Sequence, residues 1–121
     1  MGLYSSLMMR LEKTLRAWQT PEFEDVFKGE VAQLGTAQLP LQQALTQGSY
    51  ASDRHLKVLV ISASVRQGFI QVKAGIFYTG ILPGCACSDD VAPDNEYTEY
   101  CEMLFAIDQQ TAASTVSLLT G

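Results

Sequence analysis

The chain has 121 residues, 47% of them hydrophobic, and a formal net charge of −5. A single domain of this size buries roughly two-thirds of its unfolded surface, so neither disulfides nor a structural metal is needed to hold a core. The composition excludes a disordered chain, no apolar run approaches the ~18 residues of a membrane span, and the acidic balance is unsuited to nucleic acid or anionic lipid.

Met1 to Met9 lacks the basic start of a secretory signal, and Tyr4, Ser5 and Ser6 interrupt its apolar run. Met1-Gly2 with Ser6 fits the loose myristoylation pattern, which an ordinary start residue fits equally well. Leu3, Leu7, Leu11, Leu15 and Trp18 recur at helical spacing, with Met8 in the same stripe, and predict a first amphipathic helix. Thr20-Pro21 restarts the chain: Thr20 suits an N-cap, Pro21 the first helical position, and Glu22 and Glu24 the helix dipole. Phe23, Val26, Phe27, Val31 and Leu34 give this second helix its core face, and Gly35 stops it. A short third helix is expected from Pro40 to Thr46, ending at Gly48.

From Leu56 the period changes to that of strands. Leu56 to Ser64 is β-branched and aliphatic, Val65-Arg66-Gln67-Gly68 reads as a tight turn, and Phe69 to Ile81 as a long strand apolar on both faces. Such a strand belongs in the interior of a sheet. Glu96 to Asp108 is a third strand, with Cys101, Met103, Phe105 and Ile107 alternating against polar neighbours, and Ala112 to Leu119 a fourth. The expected fold is α+β: one domain over residues 1–121, with a helical part (1–48) packed on an antiparallel meander of about four strands (56–119). The apolar first helix, added to a core already served by the second, predicts a homodimer that covers the surplus face.

Chemistry concentrates between Gly84 and Glu102, which holds all three cysteines. An odd cysteine count closes no disulfide framework, and reduced thiols in a cytoplasm are the expectation. In an extended backbone Cys85 and Cys87 point the same way and could aim both sulfurs at one ion. If Ala92-Pro93-Asp94-Asn95 forms a tight turn, residues 85 to 87 lie across from Cys101. A zinc ion or iron–sulfur centre would then take Cys85, Cys87 and Cys101, with Asp89, Asp90, His55 or a water completing the set. The alternatives are plain reduced cysteines, or a redox disulfide between Cys101 and one of the pair.

Asp89, Asp90, Asp94, Glu96, Glu99 and Glu102 crowd the same stretch without a Lys or Arg. The remaining acids and bases nearly cancel, so the net charge belongs to one loop and the strand after it. This is either a solvated loop or a place for a cation or a basic protein partner. These carboxylates disfavour a nucleophilic thiolate, which wants a basic setting. His55 is the only histidine, and no nucleophile elbow, phosphate-binding loop or EF-hand spacing accompanies it. The third helix carries no Lys or Arg, which removes a DNA-reading helix-turn-helix.

The segments Leu39-Pro40-Leu41-Gln42-Gln43, Lys73-Ala74-Gly75-Ile76-Phe77-Tyr78, Gly84-Cys85-Ala86-Cys87-Ser88-Asp89-Asp90 and Glu99-Tyr100-Cys101-Glu102 resemble a group of short uncharacterised bacterial proteins. The resemblance covers most of the chain after the first helix. It implies a bacterial source and brings no established activity. The expected function is a non-enzymatic binding or interaction module; the alternative is a metal-binding or redox-active thiol protein using Cys85, Cys87 and Cys101.

Overall fold

The computed structural model describes residues 9–46, 50–81 and 96–119. Its elements are β1 (Met9–Arg10), α1 (Glu12–Arg16), α2 (Phe23–Gln38), a 3-10 turn (Gln42–Ala44), β2 (Tyr50–Arg66), β3 (Phe69–Ile81), β4 (Glu96–Asp108) and β5 (Ala113–Leu119). The strands form one open sheet in the order β1-β5-β4-β3-β2, every neighbouring pair antiparallel. The sheet curls into a half-barrel. Its register slips between Ser52 and Lys57 and again between Val60 and Ser62.

Alternation sets the two faces. Ile70, Val72, Ala74, Ile76 and Tyr78 of β3 and Cys101, Met103, Phe105 and Ile107 of β4 are buried in the concave face. Helix α2 fills that concavity with Phe23, Phe27 and Val31. Phe27 meets Phe105 edge-on, with ring centroids 5.2 Å apart at 89°, the arrangement that suits two ring quadrupoles. Strand β3 is interior as expected, paired with β2 on one side and β4 on the other.

The β2–β3 hairpin turns on Gln67 and Gly68, with φ of 54° and 86°. Two successive positive φ values make a type I′ turn, whose twist matches the flanking strands. Helical dihedrals break at Gly35, where φ is 56°, and a further turn carries the segment to Gln38. A Cβ at Gly35 would lie 2.5 Å from Asp53 Oδ2, so the glycine also lets β2 approach the helix.

The expected α+β arrangement, with N-terminal helices packed on about four strands, is corrected. The protein is mostly sheet, with two helices among the described residues, and α1 has 5 residues. Leu3, Leu7 and Met8 lie outside the described residues. Met9 and Arg10 are not helical but extended, opposite Ser114 and Ala113. The Leu11 amide then donates to Ala112 O at 3.1 Å, so backbone pairing with β5 wins over helical propensity. Helix begins only at Glu12, where α2 supplies the cap: Glu30 accepts from the amides of Lys13 (3.1 Å) and Thr14 (2.8 Å) and from the Thr14 hydroxyl (2.6 Å). The expected third helix is the 3-10 turn Gln42–Ala44. Leu11 is buried, and Leu15 and Trp18 pack on the same core. Of the described part of the apolar stripe, Leu11 is thus buried within one chain, and Leu15 and Trp18 are partly buried there.

Candidate functional site

The expected thiol site divides between what the structure describes and what it does not. Cys85, Cys87, Asp89, Asp90 and Asp94 lie outside the described residues. Cys101 is buried in the concave face. Its cross-strand partner in β3 is Ile76, in a ladder that runs unbroken to Ile81 opposite Glu96. The ladder position beside Cys101 on the β3 side is thus filled by Ile76. Among the described residues no cluster of His, Cys, Asp and Glu is arranged to hold a metal.

Burial pushes the Cys101 thiol up to about 11, with the charges of Glu99 and Glu102 adding to the shift. The protonated form is held far from nucleophilic reactivity. Tyr78 is raised as well, first by burial and then by Cys101 and Glu99, and its hydroxyl donates to Leu41 O at 3.0 Å.

The acidic strand is not a uniform solvated patch. Glu99 turns inward and is buried; its Oε1 accepts from the Thr46 amide (3.0 Å) and hydroxyl (2.7 Å). A Cβ at Gly80 would lie 2.9 Å from Glu99 Cγ and Oε2, so that glycine makes room for the carboxylate. Glu102 points outward, 3.7 Å from Lys73 Nζ, and accepts from Tyr100 Oη at 2.9 Å. That hydrogen bond raises the Tyr100 pKa. The Tyr100 ring lies over Gly75, where a Cβ would come within 2.5 Å of Oη, and stands 4.7 Å from the Phe77 ring. The acids of β4 fall three apart at Glu96, Glu99 and Glu102, so the charge run reads as one patch although strand alternation splits it and puts Glu99 on the face of Cys101. The signal that could have found these roles is the pair of glycines, Gly75 and Gly80, inside an otherwise apolar strand.

His55 sits in the first slip of β2 with φ 63°, exposed. It lines a depression of about 240 Å³ with Phe77, Thr79, Glu96, Tyr97 and Thr98. This is smaller than the usual small-molecule site of roughly 300–1,000 Å³. A second depression of about 380 Å³ lies between Arg10, Leu11 and α2. Its charged groups are engaged: Arg10 pairs with Glu12, and Glu30 caps α1.

The remaining distinctive surface is apolar. Every large hydrophobic residue that stays exposed among the described residues lies on a strand, and none on α1 or α2. Leu59, Ile61 and Val65 of β2 are 40%, 45% and 43% exposed, joined by Phe69, Tyr100 and Leu119. The concave face, by contrast, is filled by its own side chains. No helix among the described residues is long and apolar enough to cross a membrane. No protein-family model matches the chain, and neither a curated protein nor a solved structure is detectably similar to it.

Proposed function

We propose that the chain is a non-enzymatic interaction module that docks other proteins through its sheet. The observation that carries this reading is the confinement of exposed large hydrophobics to the strands, while the helices show solvent a polar face. A scattered set of exposed apolar residues is ordinary; a set restricted to one layer marks a place where another surface sits. The outer face adds the Phe77–Tyr100 ring pair, braced over Gly75 and flanked by Glu102 and Lys73. Aromatic rings held rigid beside charged groups are the usual anchors of protein interfaces.

Site-resolved photo-crosslinking in the source cell tests this. A photoreactive residue at Leu59, Tyr100 or Leu119 should give discrete adducts, and one at Lys28 or Gln33 of α2 should not. Equal labelling of sheet and helix positions would remove the proposal.

A further inference from the structure

Strand β2 ends the sheet, so among the described residues one side of its backbone has no strand beside it. Between Lys57 and Arg66 it runs Val58-Leu59-Val60-Ile61-Ser62-Ala63-Ser64-Val65, without a charge or a proline. Natural edge strands are normally protected by charges, prolines or shortness, because unpaired amides and carbonyls template another strand. Within this run the ladder is interrupted by the slip between Val60 and Ser62. The type I′ turn makes Arg66 and Phe69 the closing hydrogen-bonded pair. Alternation along the ladder then turns the amides and carbonyls of Val65 and Ala63 away from β3, toward the open edge.

Charge says what fits there. Lys57 and Arg66 are exposed, and neither has an ion-pair partner among the described residues. A second copy pairing over the whole run would set Lys57 against Arg66 at both ends, which is unfavourable. We propose that the β2 edge accepts an extended apolar strand of a different protein, carrying a carboxylate at each end for Lys57 and Arg66. This rests on the interaction-module reading and names the partner's chemistry. Main-chain hydrogen bonds to Ala63 and Val65 give such strand addition its affinity, while Leu59, Ile61 and the two cations give it selectivity.

The test is selection of displayed random peptides of about ten residues on the immobilised full chain. Enriched peptides should alternate β-branched residues and close with Asp or Glu at both ends. Ala63→Pro removes an outward amide without touching the β3 ladder, and should weaken them about tenfold or more. Lys57→Glu with Arg66→Glu should invert the preference to Lys- or Arg-ended peptides; this arm decides alone if Ala63→Pro does not fold. No enrichment, or enrichment blind to the charge reversal, overturns the proposal. Peptides that survive Ala63→Pro but are lost with Tyr100→Lys place docking on the outer face; the module reading then stands and this inference falls. Sedimentation of a two-chain species that Ala63→Pro dissociates would make a second copy the occupant, and also overturns it.

Discussion

Glu99 holds Thr46 by two hydrogen bonds to one carboxylate oxygen, spanning 53 positions of sequence. The buried acid of β4 thus ties the segment after the 3-10 turn onto the sheet. Hydrogen bonds to a charged group are worth roughly 1.5–3 kcal/mol, and a buried carboxylate is costly without them. Glu99→Gln should lower stability by about 1–3 kcal/mol in urea titrations. Thr46→Ala should cost about as much as the carboxylate's lost bond, and the double variant should be less than additive. Full additivity would mean that the two residues do not act together.

Gly80 should tolerate no side chain. Alanine there would drive Cβ to 2.9 Å from Glu99 Cγ and 3.1 Å from Leu45 Cδ2. Overpacking of this kind costs about 1–3 kcal/mol. The loss should shrink in a Glu99→Ala background, where the obstructing side chain is gone. Thermal melts of the four variants of this cycle check it.

Stability should fall at high pH through Cys101. Its pKa rises from the ordinary 9.0 to about 11, so between these values the folded state binds the proton and the unfolded state does not. Stability is then fully present below pH about 9 and is lost as pH climbs toward 11. Tyr78, also raised, continues the loss in the same direction. Cys101→Ala should flatten the decline between pH 9 and 11 in denaturant titrations. Alkylation mapped by mass spectrometry should leave Cys101 unlabelled at pH 8 until the protein is unfolded.

Gln67 occupies a left-handed position that asparagine fills more readily, and Gly68 follows it. Gln67→Asn should therefore stabilise by a few tenths to about 1 kcal/mol. An unchanged or lowered melting temperature would contradict the type I′ assignment of turn strain.

The strands were legible because their alternation is strong. The expected bounds of Phe69–Ile81 and Glu96–Asp108 coincide with β3 and β4. Burial of Met103, Phe105 and Ile107 follows the same alternation. The start of β2 was missed by several residues, since Asp53 and His55 break the apolar pattern and lie in an irregular stretch. The helical front failed for a tertiary reason. Leu11, Leu15 and Trp18 do face the core, but the pairing of Met9 and Arg10 with β5 is invisible to local periodicity. The edge position of β2 was equally hidden, although its uncharged run between Lys57 and Arg66 stood in the sequence. Strand order is set by which partners meet across the chain, and a single sequence does not display that.

The pairing of Met9 with Ser114 also orders events during synthesis. The hairpins β2–β3, β3–β4 and β4–β5 join neighbours in sequence and can form as each strand leaves the ribosome. Strand β1 precedes the other described strands in the chain, yet the strand it pairs with is β5, the last of them in sequence. Until β5 is made, Met9 and Leu11, both destined for the core, lack the backbone they pair with and stay in contact with solvent or chaperone on that side. Closure of β1 onto β5 is the step that releases them.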